Sequence, residues 1–362
     1  MKNKENLSIV IDAYTKGGAQ KVLNLLIPEF LEIYKSVSIF LIQDSSNELN
    51  LEDLQGKGLK VFRINAKKIT DIKGFSRFVR ALIKSDPDYI HCHLYWSQIW
   101  TGFLKCIFPK PRIFWIEHNT YLSRNKFQWL IFKYFAKCVD KVVAVSHEVK
   151  TFLQGIKVEN LTVIFNPISI SFEPRLKKIS NPIYIFVGRL NYQKNPSLAL
   201  NAFAFALSNR LIPKTSKMIL CGEGPLLEAL IKESEELKID ESVVFKGYLT
   251  EIDLSEVYMS AMVLVSTSKF EGFSLVRAEA MASGCTIVTT RTSGIIEILT
   301  ENMTEKSVYE GVFIVENSLK SIAQGMANAI DPVYWTPDSI RFRNKITDKL
   351  GVKIIAEKYS NL

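Results

Sequence analysis

Cysteine is sparse in this chain of 362 residues: Cys92, Cys106, Cys138, Cys221 and Cys285 are scattered, odd in number and without paired spacing. That excludes a disulfide framework and reads as reduced thiols, most of them small buried apolar groups. No run of about 18 uncharged apolar residues occurs, so no membrane-crossing helix is expected. The first residues, MKNKENLSIVIDAY, pass from a short charged lead straight into a strand-like run, without the apolar region and cleavage site of a secretory signal. A cytoplasmic location is the expectation. Low-complexity tracts are missing, and so is any internal repeat beyond a duplicated two-domain pattern. Hydrophobic residues at 47% and charged residues at 23% exclude extended disorder and collagen-like sequence.

What is present begins with size. A chain this long exceeds the roughly 250 to 300 residues at which single cores stop growing, so two domains with a cleft between them are expected. The net charge of +9 is uneven: residues 1–180 hold 27 Lys+Arg against 16 Asp+Glu, and residues 181–362 hold 19 against 21, giving +11 and −2. A basic surface of that kind attracts nucleic acid, anionic lipid or a phosphorylated substrate. No nucleic-acid recognition motif accompanies the charge, so nucleic acid is not an expected partner.

Apolar, β-branched runs recur between helix-like stretches: LSIVID (7–12), VSIFLI (37–42), VFRI (61–64), YIHCH (89–93), RIFWI (112–116), VVAVS (142–146) and TVIFN (162–166). Such alternation predicts a parallel sheet covered by helices. A polar, Pro-containing stretch at 166–182 reads as a linker. The alternation resumes with IYIFVG (183–188), KMILCG (217–222), VVFKG (243–247), MVLVS (262–266), TIVTT (286–290) and GVFIV (311–315). The fold class is therefore α/β, with one Rossmann-like domain over 1–168 and another over 181–342. Residues 343–362 read as helices, and 345–362 either stay with the second domain or return to the first.

Ligands of open parallel sheets bind beyond the carboxyl ends of the strands, so the residues after each run are informative. Gly17 and Gly18 follow the first run and open a helix, where exposed amides suit an anionic group; an ordinary tight turn is the alternative. The pattern is not G-x-G-x-x-G, and the second run ends LIQDSS without the acidic residue of a dinucleotide site. His91-Cys92-His93 invites a zinc reading, but alternate strand residues point to opposite faces and no second ligand pair lies at the needed spacing. No metal is expected there. His118, at the end of the fifth run, suits a hydrogen bond to a sugar hydroxyl or phosphate, or else caps the next turn.

In the second domain VGRLNYQKN places Gly188, Arg189 and Lys194 directly after a strand, a clamp for a diphosphate unless the two cations are simply solvated. Gly222 and Lys246 also follow strands; glycine there leaves room for a flat base, and main-chain groups near Lys246 and Tyr248 read its edge. The segment EGFSLVRAEAMASG (271–284) reads as a short helix with Ser274 near its N-cap, Gly284 past its end, and first-turn amides for phosphate. At 1.5 Å per residue, Glu271 and Glu279 stand about 12 Å apart at most, the span from a sugar ring to a ribose. That separation exceeds the roughly 5 to 10 Å of a glycosidase carboxylate pair. The alternative for Glu279 is a solvated helix face, and for Glu271 a partner of the helix dipole.

These motifs in this order, GGAQKV, the His118 loop, VGRLNYQKN, CGEGP and EGFSLVRAEAMASG, resemble the retaining GT-B glycosyltransferases of family 4, over nearly the whole chain. The resemblance implies two facing Rossmann-like domains and metal-independent transfer of a hexose or N-acetylhexosamine, with the anomeric configuration kept. It implies a nucleotide diphosphate donor, taken as UDP, and no cofactor. By the same resemblance Glu271 contacts donor-sugar hydroxyls, Glu279 the ribose, and Arg189 and Lys194 the diphosphate. His118 would lie beside the sugar, and Gly17 and Gly18 at the phosphate or acceptor end. Gly188, Gly222, Lys246, Gly272, Phe273, Ser274 and Leu275 complete the expected donor site. Asp86-Pro87-Asp88 has the form of a metal-binding D-x-D but precedes its strand, on the wrong edge of the sheet. Arg277 departs from the family, where this position is often apolar; it points to solvent or to a partner.

Residues 95–141 interleave Trp96, Trp100, Phe103, Phe108, Phe127, Trp129, Phe132 and Phe135 with Lys105, Lys110, Lys126, Lys133 and Lys137. Together with the +11 half this reads as a surface for anionic membrane and a lipid-linked acceptor, in surface-glycan synthesis at the inner face of the cell membrane. Helices packed on a sheet are the plainer reading of the same aromatics. Competing functions are a nucleotide-sugar epimerase, a transferase with a soluble acceptor, and a non-enzymatic sugar-nucleotide sensor; the sensor would be expected to have lost one of Arg189, Lys194, Glu271 or Glu279.

Overall fold

Short runs of Val, Ile, Leu and Phe, apolar at nearly every position, form strands buried on both faces, which is the signature of a helix-covered parallel sheet. The computed structural model describes residues 5–14, 17–43, 51–118, 124–169, 181–292 and 311–362, with backbone only at 341–344. The first sheet comprises β1 (Asn6–Ile11), β2 (Ser36–Leu41), β3 (Lys60–Arg63), β4 (Tyr89–His93), β5 (Arg112–Glu117), β6 (Lys141–Ala144) and β7 (Leu161–Val163). Every pairing is parallel and the order is β3-β2-β1-β4-β5-β6-β7. The order reverses between β1 and β4, whose register runs from Leu7–Tyr89 to Ile11–His93.

The second sheet repeats the plan with β8 (Ile183–Val187), β9 (Lys217–Cys221), β10 (Val243–Gly247), β11 (Val263–Ser266), β12 (Thr286–Thr290) and β13 (Val312–Val315), ordered β10-β9-β8-β11-β12-β13. Its switch point lies between β8 and β11. The doubly wound α/β class expected from the alternating runs is therefore what the chain adopts, twice, and each sequence run coincides with one strand to within two residues.

The chain divides into one unit of Met1–Ile168 with Leu350–Leu362, and another of Ser169–Lys349. The helix Val352–Ser360 belongs to the first unit, packed on the helix Gly18–Ile33. Tyr359 sets its ring 6.2 Å from Phe30 and 5.5 Å from His91, and Arg112 Nη2 donates to the Leu362 carbonyl at 2.8 Å. Residues 343–349, which the sequence left undivided from that tail, stay with the second unit. Most of the expected linker, 170–180, lies outside the described residues.

Candidate active site

At the switch point of the second sheet, the loop after β8 and the loop after β11 are stitched together. Thr267 Oγ1 donates to the carbonyl of Asn195 at 2.8 Å, Gln193 Nε2 to that of Phe270 at 3.1 Å, and Lys269 N to that of Gln193 at 2.8 Å. The frame brings Lys194 onto Glu271 in a largely buried ion pair. Ser268 Oγ donates to the same Glu271 oxygen at 2.7 Å. Burial pushes the Glu271 carboxyl up, but the Lys194 ammonium and the Arg277 guanidinium outweigh it and hold the group below its ordinary range. Arg189 stands differently. It is exposed, and it makes no hydrogen bond or ion pair among the described residues.

The glycines beside this loop serve the backbone. Gly222 has φ +135, and a Cβ there would lie 2.0 Å from the Gly188 carbonyl oxygen. Gly188 N donates to Cys221 O at 2.9 Å and Gly222 N to Gly247 O at 2.7 Å, so three strand ends are laced edge to edge. The room that the sequence assigned to a flat base at Gly222 is occupied by protein. Lys246 and Tyr248 are both exposed.

The helix Leu275–Ala282 begins after Ser274 as expected, with no side-chain cap and no acidic residue in its first turn, and Gly284 at φ +80 ends it. Its first-turn amides are thus closed by no side chain of the cap, which keeps the N-terminal dipole available to an anion. The helix is buried nearly all round, and Phe273 and Leu275 are buried with it. Glu279 is not on a solvated face: it is buried, and Tyr258 donates its hydroxyl to Oε2 at 3.2 Å. Burial and the Glu279 charge push the Tyr258 hydroxyl far up, so it remains a donor.

Arg277 overturns its sequence reading. It faces neither solvent nor a partner but is wholly buried, donating from Nε to Ser266 Oγ at 3.1 Å and from Nη2 to Thr292 Oγ1. A buried guanidinium needs most of its donors satisfied, and the ends of β11 and β12 supply them. Sequence reasoning missed it because both partners come from other elements.

At the switch point of the first sheet, His93 Nδ1 and His118 Nε2 lie 3.0 Å apart with their rings stacked. Burial lowers both, His118 to about 4, so the pair is neutral at neutral pH. His91 belongs to the core among Phe30, Phe114 and Tyr359, and among the described residues no group of three or more His, Cys, Asp or Glu could hold a metal ion. Gly17 caps the helix Gly18–Ile33, which has neither a side-chain cap nor a first-turn acid. The neighbouring helix Tyr95–Ile107 is closed instead: Asp12, at the end of β1, accepts from Trp96 N at 3.0 Å and from Ser97 N and Oγ at 2.7 Å. Leu94, at φ +72, makes the sharp turn into it. Glu117 forms a buried ion pair with Arg124 at 2.8 Å, and Arg124 lies over the rings of Tyr95, Trp129 and Phe132. Asp12 was legible by the strand-end rule; Arg124, beyond the loop, carried no signal.

Residues 95–141 split by helix phase. Trp100, Trp129 and Phe132 are core, Lys105 is committed to Asp140 at 2.8 Å, and Lys110 to Asp86 at 2.9 Å. What remains outside is Phe127, Leu130 and Tyr134 along one face of the helix Lys126–Ala136, with Phe103, Ile107 and Phe108 nearby in sequence on and after the helix Tyr95–Ile107. Lys126 and Lys137 are exposed beside the first group. Asp86 and Asp88 have structural duties: Asp86 caps the helix Ile72–Ser85, and Asp88 accepts from Asn6 N at 2.9 Å. No helix among the described residues is long and apolar enough to cross a membrane.

Two parallel, doubly wound sheets with polar residues gathered at both switch points define a class. The solved structure of Anabaena HepE with UDP has the same fold, with a TM-score of 0.80 over 100% of this chain and 99% of its own at 17% identity. The architecture is that of GT-B glycosyltransferases. The model for Glycosyl transferases group 1 matches residues 169–332 and that for Glycosyltransferase Family 4 matches residues 16–172. The chain belongs to this family of GT-B glycosyltransferases. An uncharacterized glycosyltransferase of Methanocaldococcus jannaschii is 26% identical over 75% of this chain and 72% of its own. The UDP-Gal:alpha-D-GlcNAc-diphosphoundecaprenol alpha-1,3-galactosyltransferase of Escherichia coli is 22% identical over 82% and 80%.

Proposed function

We propose that the chain transfers a hexose or N-acetylhexosamine from a uridine diphosphate donor to a lipid-linked or polysaccharide-precursor acceptor, without a metal ion and with retention at the anomeric carbon. The observation that carries this reading is the Lys194–Glu271 pair at the second switch point, three residues before a helix whose N-terminus has no side-chain cap. Glu271, held charged, accepts hydrogen bonds from sugar hydroxyls. As a diphosphate arrives, Lys194 turns from the carboxylate to it, and Arg189, exposed and uncommitted among the described residues, adds a second cation. These charges and the helix amides act most strongly as the C1–O bond to the diphosphate breaks and negative charge gathers on the leaving oxygen. Glu279, steadied by Tyr258, takes ribose hydroxyls. His118, kept neutral by burial, offers a hydrogen bond rather than a charge to a sugar hydroxyl.

The lipid-linked acceptor is supported by the name of the Escherichia coli relative and by the exposed face of Phe127, Leu130 and Tyr134 beside Lys126 and Lys137. Apolar side chains flanked by lysine suit the interface of an anionic bilayer, each lysine contributing about 1 kcal/mol. A panel of nucleotide sugars in excess EDTA, with acceptor lipid in anionic or neutral vesicles, tests the whole reading. Release of UDP with sugar moved to the lipid, stronger on anionic vesicles and weakened by Lys126, Lys133 and Lys137 together becoming Glu, is the expected result. Isomerised sugar without transfer would make the chain an epimerase, and rescue only by Mg²⁺ would return a metal to the reaction. Equal activity on every vesicle and on a short soluble acceptor would remove the membrane.

A further inference from the structure

The cysteines that the sequence scatters are not all apart in space. Cys106 lies in the last turn of the helix Tyr95–Ile107, and Cys138 two residues past the helix Lys126–Ala136; their sulfurs are 3.2 Å apart. A disulfide holds its sulfurs at about 2.05 Å, so roughly an ångström of side-chain rotation separates contact from bond. The backbone on both sides is already pinned. Lys105, next to Cys106, pairs with Asp140 at 2.8 Å and donates to the carbonyls of Pro109 at 2.9 Å and Pro111 at 2.7 Å. Phe103 and Phe135 meet edge to face at 6.4 Å.

The other three thiols are unlike these two. Cys92, Cys221 and Cys285 are buried, whereas Cys106 is exposed and Cys138 half-buried. Burial pushes the Cys92 thiol up, and the Cys221 thiol to about 11, which leaves little thiolate in either. We propose that Cys106 and Cys138 form a dithiol modification site, at which an oxidant of the peroxide class joins them in a reversible intramolecular disulfide.

The exposed Cys106 meets the oxidant first. Its thiolate attacks one peroxide oxygen, the O–O bond breaks, and a sulfenic acid and one water result. The Cys138 thiolate then attacks that sulfur, the S–O bond breaks, and hydroxide leaves to become a second water. In sum two S–H bonds and one O–O bond are replaced by one S–S bond and two waters; each sulfur gives up one electron and the peroxide gains two. A reducing dithiol reverses the bond by exchange. The site is independent of what the chain transfers.

Hydrogen peroxide on the full-length protein, followed by denaturation and thiol counting, is the test. The count should fall from five to three, the intact mass should fall by two hydrogens, and one cross-linked peptide should hold both residues. Dithiothreitol should restore all five thiols. Cys106→Ser and Cys138→Ser should each abolish the cross-link, with an unchanged melting temperature of the reduced protein showing that the fold survives; if either variant fails to fold, the peptide map of the unaltered chain decides alone. Three results would overturn the assignment: five thiols retained under peroxide that oxidises free cysteine, sulfinic acid on Cys106 while Cys138 still alkylates, or thiol loss that appears only as covalent dimers.

Discussion

Removing the ammonium of Lys194 while keeping its bulk, as Lys194→Met does, strikes fold and chemistry together, because the partner carboxylate stays behind. The two side chains are 19% and 7% exposed, so little water reaches Glu271 to replace the lost charge. Breaking a buried pair from one side costs about 3 to 5 kcal/mol; Ser268 and Arg277 remain to share the load, which places this case near the lower figure. In a unit the size of Ser169–Lys349, 1 kcal/mol moves the midpoint by about 2 to 4 °C, so its transition should fall by about 6 to 12 °C. Glu271→Gln keeps an acceptor for Ser268 and should cost less. The double variant should cost less than the sum of the singles by about 1 to 3 kcal/mol. The sign with pH follows from linkage. Glu271 lies below its ordinary pKa, so it stabilises the fold above the unfolded value and loses that contribution as pH falls. The variant lacks most of this contribution, so the gap from the parent should narrow on going from pH 7 towards 4. Calorimetry of the full chain, with hydrogen exchange over Val263–Ser266 to assign the transition, measures all of this. A Lys194→Met midpoint within about 2 °C of the parent, additive with Glu271→Gln, would refute the buried-pair argument.

Arg189→Ala should behave oppositely, lowering turnover by about a hundredfold while leaving the melting temperature alone, since an exposed side chain without contacts among the described residues supports only a charge that develops elsewhere. Gly222→Ala should leave the chain insoluble or strongly destabilised in an expression and melting assay, because its Cβ would collide with Gly188 O at 2.0 Å. Gly18→Ala meets nothing within 4 Å and should melt normally, so that any loss of turnover in it reports the approach of a ligand. Finally, His91 at about 3 and His118 at about 4 lie below the ordinary histidine value, so the unfolded chain binds more protons under pH 6.5. Stability of the first unit should therefore hold above neutrality and decline from pH 6.5 towards 4. Urea midpoints at pH 7.5 and 5 test this, and His91→Phe should flatten the slope.

The fold was legible because each strand of a buried parallel sheet is a continuous apolar run, and no other local pattern competes for VSIFLI or TIVTT. Strand-end reasoning likewise found Arg189, Lys194 and Glu271, since the switch point gathers whatever follows β8 and β11. It failed where a residue's duty is assigned by partners distant in sequence. Arg277 sits among apolar neighbours and meets Ser266 and Thr292 only after β11 and β12 pair. Gly222 looked like room for a ligand because nothing local shows the Gly188 backbone against it. Cys106 and Cys138 are 32 positions apart, and spacing alone holds no hint of their contact. The aromatics of 95–141 were misjudged as one surface because two helices turn Trp100 and Trp129 inward and Phe127 and Tyr134 outward.

The helix Val352–Ser360 rests on the first unit, yet it is translated after all of Ser169–Lys349. On the ribosome the first sheet must wait for it. Until then Phe30 and the orphaned imidazole of His91 lack the Tyr359 ring that covers them, and Ile168 lacks the Leu350 carbonyl that it reaches at 3.0 Å. The second unit, contiguous in the chain, has no such debt. Synthesis therefore runs in an order opposite to completion: the half made first is finished last, and a chain stopped near residue 349 would present an uncovered apolar flank to the chaperones that patrol nascent proteins.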